Sequence, residues 1–273
     1  MFGREKIEYK TPEQVAIMRR AGLVVADALE AVRGALAPGV TTAELDAVAE
    51  DVIRSAGATP SFLGYHGYPA SLCVSVNEEI VHGIPGSRVL QPGDVVSVDC
   101  GAIVDGWHGD SAFSAVLEPA DPADVALVTA TEDALWAGIA ALATPGGRLG
   151  AVGEAVEDVV ESASAPYGIV EDYVGHGIGT AMHQPPDVPN YRTKDRGTKL
   201  RAGLCVAVEP MLVRGAEANH VLADDWTVVT DDGSRAAHWE HTVAILEAGI
   251  VVLTARDGGA ERLRALGVEI AAL

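Results

Sequence analysis

A chain of 273 residues with 48% hydrophobic side chains can bury a core as one large domain or two small ones, and is too apolar to be disordered. Its formal charge of −20 excludes a general nucleic-acid binder, which needs a basic surface. Cys73, Cys100 and Cys205 are widely spaced and form no CxxC pair, which argues against a disulfide framework or a zinc ribbon.

The opening, MFGREKIEYK, is charged and has no apolar leader, and no run approaches the ~20 apolar residues of a membrane span, so a cytoplasmic location is expected. Thr11, Pro12 and Gln14 open a first helix, and Thr41 with Glu44 forms the capping box of a second. A Pro-Gly turn at 38–39 separates them. The plan returns about 107 residues later, too far for a solenoid. Asp-Ala-Leu recurs at 27–29 and 133–135, Ala-Leu-Ala at 35–37 and 141–143, Pro-Gly at 38–39 and 145–146, and Glu-Asp-Val at 50–52 and 157–159. This predicts a single α+β domain, 1–273, built from two pseudo-symmetric halves at roughly 10–115 and 116–250. Sites often form where such halves meet.

Strand signals follow each helix pair: SLCVSV and DVVSVDCGAIVDGWHGDSAFSAVL in the first half, LCVAVEPMLV and HWEHTVAIL in the second. Asp105-Gly106 marks a hairpin turn. A turn there sets Asp99 opposite Ala112 and diagonal to Asp110, about 7–8 Å away on the same face. Glu209 closes one apolar strand and Glu240 opens another. Any one of these acids alone reads as an ordinary surface group. If all four converge, protonation relieves one or two of the charges, whereas two divalent cations relieve them all.

VGHGIGTAMH, residues 174–183, has too many glycines for a helix and too few apolar residues for a buried strand. It is expected as an irregular segment whose glycines bring backbone close to the site, with a histidine adding a nitrogen ligand. A carboxylate-rich set with one imidazole suits Mn²⁺, Fe²⁺, Co²⁺ or Zn²⁺. Paired metals ~3.5–4 Å apart are a standard hydrolytic arrangement. Further on, YRTKDRGTKLR, residues 191–201, gathers five basic side chains as a solvated loop or a docking site for an anionic partner.

The order His82, Asp99, Asp110, His176, His183, Glu209, Glu240 resembles that of the type I methionine aminopeptidases. So do the surroundings GYHGYPASLCVSVNEEIVHGIP, SVDCGAIVDGWHGDSA, GHGIGTAMHQPPDVPNY, VAVEPM and HWEHT, and the resemblance covers about residues 7–250. It implies the pita-bread fold, two related halves around a curved, mainly antiparallel sheet with helices outside. It also implies that Asp99, Asp110, His176, Glu209 and Glu240 hold two divalent cations, with Asp110 and Glu240 bridging. His82 and His183 would face the substrate. One departure is Gln184, where many members carry an acid, and a local change in the cleft rim is expected there.

The implied reaction removes the initiator methionine of nascent polypeptides, with preference for a small second residue. A metal-bridging water would attack the first peptide bond, with Glu209 shuttling the proton. His183 would hydrogen-bond the carbonyl oxygen and His82 would assist the leaving nitrogen. Tyr65, Tyr68, Cys73, Met182 and Trp226 would line the methionine pocket. His241, beside Glu240, would orient that ligand. The resemblance further implies ribosome docking, through the basic loop 192–201, and a monomeric chain with no membrane or sequence-specific nucleic-acid partner. Two other readings stay open: a proline-specific peptidase of the same fold, and a noncatalytic pita-bread binding protein.

Overall fold

Threonine caps start the first two helices. The Thr11 hydroxyl accepts the Gln14 amide while the Gln14 side chain accepts the Thr11 amide at 2.9 Å, opening α1 (Pro12–Ala35). Thr41 and Glu44 repeat this reciprocal cap at α2 (Thr42–Ser55). Val15, Met18, Val25, Leu29 and Val32 recur at helical spacing, which gives α1 one buried stripe. Asp121 and Pro122 open α3 (Pro122–Ala141), and α4 (Gly150–Ser162) follows it. Pro38-Gly39 and Pro145-Gly146 both form turns, so the repeated segments share one helix–turn–helix path. α1 packs on α2, and α3 on α4. The computed structural model describes residues 6–273; the charged opening, 1–5, lies outside the described residues.

The main sheet has nine strands and is antiparallel throughout. Thr59–Pro60, Val95–Val104, Trp107–Val116, Glu240–Leu246, Cys205–Val208, Gly175–Gly177 and Gln184–Val188 lie side by side. Leu72–Val76 adds to Val95–Val104, and Gly249–Val252 to Glu240–Leu246. The sheet curls with the helices outside, the α+β pita-bread architecture expected. Apolar side chains gather in two large clusters, one under α1 and α2, the other under α3 and α4, and Trp239 packs against both.

Early and late parts of the chain join where Trp107–Val116 meets Glu240–Leu246. There Glu240 pairs with Ala112 and His241 with Ser111. The Thr242 hydroxyl accepts the Asp110 amide at 3.0 Å and donates to the Asp110 carbonyl at 2.8 Å. Beside this seam α1 touches the sheet backbone to backbone. A Cβ on Gly109 would lie 2.7 Å from the Gly22 nitrogen, so both positions exclude a side chain.

The glycine-rich segment departs from expectation. Gly175–Gly177 is a short strand, and all three of its residues are buried. Glycine itself permits this. A Cβ at 175 would run into the Ala207 carbonyl oxygen, and one at 177 into the Pro185 carbonyl oxygen. The strand fits between two neighbours that exclude a side chain at 175 and 177, on either side of His176. Its pairing with Gln184–Val188 shifts register between His176 and Gly177. Such an irregularity bends the strand and re-aims the adjoining side chains.

Candidate functional site

Asp99 and Asp110 lie on the hairpin Val95–Val104/Trp107–Val116, which turns at Asp105-Gly106. Asp99 pairs with Ala112 and Asp110 with Gly101, which makes the two aspartates diagonal neighbours. Glu240 stands on the next strand, also opposite Ala112. Glu209 follows Cys205–Val208 directly, and Pro210 behind it interrupts the ladder because it has no N–H to donate. The four acids face one cleft, together with His176, His183 and His82.

Electrostatics in the cleft demand a counter-charge. Burial pushes the Asp99 carboxyl up to about 7. Burial, then the charges of Asp99 and Glu209, drives Asp110 well above the ordinary carboxyl range. Burial and Asp99 do the same to Glu209, and burial with Asp110 the same to Glu240. Asp99 Oδ1, Asp110 Oδ1 and Glu240 Oε1 are buried without any hydrogen-bond partner. A buried polar atom left so costs about 1–3 kcal/mol, more when charged.

His176 completes the argument for a cation. Its Nδ1 is 3.0 Å from the Gly177 carbonyl oxygen, which fixes the proton on Nδ1. Nε2 therefore presents a lone pair, and it lies 3.4 Å from Glu209 Oε1. Burial lowers the imidazole to about 3, so the ring is uncharged near neutrality. Donor atoms of Asp110, His176 and Glu240 all lie within 4.8 Å of one another. Oxygen-rich donors with one neutral imidazole match a hard or borderline divalent cation, and the residues fit such a group.

Two more histidines line the cleft. His183 Nδ1 is 2.8 Å from the Tyr65 hydroxyl, and its ring centroid is 4.3 Å from that of His176. His82 has a backbone φ of 62°, in the left-handed region that a side chain with a Cβ disfavours. Its ring packs edge-on to Tyr173 and Trp226, and burial holds it at about 4. Near neutral pH it is therefore an uncharged imidazole.

The apolar end of the cleft is a cage. Phe62, Tyr68, Ala70, Cys73 and Met182 form one cluster, with Tyr65, Ile84 and Trp226 packed against it. Cys73 pairs with Asp99 across adjacent strands, so the cage and the acids share a wall. Burial raises the Cys73 thiol well above its usual range and leaves it a neutral, soft contact. The Tyr68 hydroxyl is committed to the Leu72 and Gly83 carbonyls at 2.9 and 3.1 Å.

The five expected ligands, the two expected substrate-facing histidines and the five expected pocket residues all line this cleft, and His241 does not. Phe62 and Val81 line it too, although the sequence did not single them out. Both read as ordinary core in the sequence until the fold turns them inward. His238, the first residue of HWEHT, was given no role in the sequence; it is buried with its Nε2 3.8 Å from Glu209 Oε2.

His241 corrects an expectation, because successive strand residues point to opposite faces. It turns away from the Glu240 carboxyl, and its Nδ1 meets Thr254 Oγ1 at 2.8 Å and Ser111 Oγ at 3.1 Å. Ser111 in turn donates to the Glu240 carbonyl at 2.6 Å. At the rim, Gln184 donates to the Glu8 carboxylate at 2.9 Å. In the basic loop, Arg192 is taken up by Glu157, Asp158 and Glu161 of α4.

Residues 16–247 match metallopeptidase family M24. The chain is 51% identical to methionine aminopeptidase 1 of Mycobacterium tuberculosis, over 92% of this chain and 96% of that one. It is 46% identical to methionine aminopeptidase 1 of Bacillus subtilis, over 90% and 98%. Among solved structures, the methionine aminopeptidase of Thermotoga maritima superposes with a TM-score of 0.87 at 41% identity, covering 91% of this chain and 99% of that one. The prolidase of Pyrococcus furiosus shares the fold at a TM-score of 0.70 and 20% identity, and this chain spans 65% of it.

Proposed function

The chain belongs to metallopeptidase family M24 and, within it, to the type I methionine aminopeptidases, and from that premise we propose that it removes the N-terminal methionine of newly made polypeptides through the residues of the cleft. The observation that carries this reading is the apolar cage set directly against a cluster of buried, unpartnered carboxylates. The cage suits an unbranched thioether side chain, and the acidic end suits a free amino terminus.

Asp99, Asp110, His176, Glu209 and Glu240 would hold two divalent cations; Co²⁺, Mn²⁺, Fe²⁺ and Zn²⁺ all suit this donor set. When bound, such ions supply Lewis acidity, which polarises a carbonyl and makes water nucleophilic near neutral pH. The remaining steps belong to the side chains. Glu209, beside the attacking water, would take its proton and deliver it to the departing amine. The Tyr65 hydroxyl donates to His183 Nδ1, so Nε2–H donates to the carbonyl oxygen as it gains charge. His82, neutral at working pH, steadies the scissile nitrogen by a hydrogen bond and not as a cation.

A preference for a small second residue is what membership of the family implies. The same reading places the protein in the cytoplasm, as a monomer acting on nascent chains. Among the described residues no helix is long and apolar enough to cross a membrane. Lys194, Arg196, Lys199 and Arg201 are exposed and would carry ribosome docking, whereas Arg192 is engaged on α4.

Turnover of Met-Ala-Ser against X-Pro peptides, alongside metal content, tests the proposal. Hydrolysis of the methionyl peptide by metal-loaded protein is expected. Cleavage confined to X-Pro substrates would make it a proline-specific peptidase, and metal binding without hydrolysis of either would make it a binding protein.

A further inference from the structure

His183 sits on a turn that another part of the chain holds from outside. Its neighbour Gln184 donates to Glu8 Oε2 at 2.9 Å. Thr180 reaches the same carboxylate twice, through its amide at 3.1 Å and its hydroxyl at 2.7 Å. Gly179 leaves room for this: a Cβ there would run into Glu8 Oε2. Glu8 is itself anchored. The buried Lys10 ammonium donates to the Glu8 carbonyl at 2.9 Å and lies 3.6 Å from its carboxylate. The Lys10 amide donates to the Gly203 carbonyl at 2.7 Å, next to the strand Cys205–Val208 that leads to Glu209. None of these groups touches the cleft, yet together they fix both ends of the turn that carries His183.

We propose that Glu8 is a positioning residue for His183, its carboxylate latching the turn 179–184 so that the imidazole meets the substrate carbonyl. The inference rests on the reading of His183 given above. It also accounts for the glutamine at 184. An acid there would face Glu8 carboxylate to carboxylate, whereas the amide donates to it.

Four variants of the metal-reconstituted enzyme and one control test this. Glu8→Ala should lower kcat about tenfold with KM within about twofold, since the geometry of a transition-state contact is lost and not ground-state binding. Glu8→Gln should stay within about threefold of the parent, because the Gln184 amide can flip to keep a hydrogen bond. Gln184→Glu should lose about tenfold by like-charge repulsion, and Glu8→Gln/Gln184→Glu should recover it by restoring a donor opposite an acceptor. Hydrogen exchange at the Thr180 amide should rise in Glu8→Ala and Gln184→Glu and return to the parent level in the double variant.

His183→Ala is the control. If it keeps full turnover, the role given to His183 is wrong. If it loses turnover while Glu8→Ala and Gln184→Glu do not, the latch alone is overturned. The latch is equally overturned if the double variant is as slow as Gln184→Glu.

Discussion

Asp99 and Asp110 occupy diagonal positions on one hairpin, Asp99 opposite Ala112 and Asp110 opposite Gly101, and both carboxylates bury an oxygen without a hydrogen-bond partner. Two carboxyls this close, on strands too regular to part, must hold a proton or a cation between them.

Asp110→Asn keeps the size of the side chain but removes the charge from the centre of the cluster. The variant should fold, lose metal on dialysis and fall at least about 10³-fold in turnover, since the Lewis acid is no longer held. Metal analysis and peptide hydrolysis on one preparation check this. Full turnover after chelation and dialysis would contradict it.

His82→Ala should behave differently. Its ring packs with Tyr173 and Trp226 and contributes no atom to the group formed by Asp110, His176 and Glu240. Turnover should fall about 10²–10³-fold, the usual scale for one lost transition-state hydrogen bond. Metal content should match the parent. Loss of metal in this variant would mean that His82 is itself a ligand.

Metal affinity should depend steeply on pH. Burial holds Asp99 at about 7 and the other three acids well above their ordinary range, so the folded chain retains protons that a cation must displace. His176, held at about 3, is already neutral and releases none. Because the acids' folded values are raised, tight binding is present above about pH 7 and is lost as pH falls, by roughly tenfold per unit for each proton displaced. Calorimetry in buffers of differing ionisation enthalpy counts the protons. An affinity that is flat from about pH 5.5 to 7.5 would rule out this linkage.

Gly177→Ala should unfold the centre of the site without touching a functional group. The added methyl meets the Pro185 carbonyl oxygen, backbone that cannot swing aside. The cost should be about 2 kcal/mol or more. Thermal melts should show it, with metal affinity falling as His176 is displaced. Gly39→Ala, at a positive φ but with open space around it, should cost only about 1 kcal/mol.

Local chemistry made much of this molecule readable in advance. Thr11 and Thr41 announced their helices because capping involves residues three apart, and Asp105-Gly106 announced its hairpin because a two-residue turn fixes register. From that register the Asp99–Asp110 diagonal followed without further information. Long-range packing was not readable in the same way. Gly175–Gly177 looked too bare for a buried strand, since nothing nearby says that Ala207 and Pro185 will press against it from both sides. Glu8 and His238 belong to the site only through contacts 172 and 29 residues away in the chain, with Thr180 and Glu209. His241 was misread for a different reason: adjacency along a strand places side chains on opposite faces.

The seam between Ser111 and Glu240 joins residues 129 apart. A chain emerging during translation therefore carries its aspartate hairpin long before the strand that must lie beside it. Until Glu240–Leu246 has left the exit tunnel, Asp110 has no Thr242 to hold its backbone and no Glu240 on the strand beside it. A chain stopped before residue 240 lacks the strand that completes the acid cluster, so the cleft is assembled only after both ends of the seam have been made.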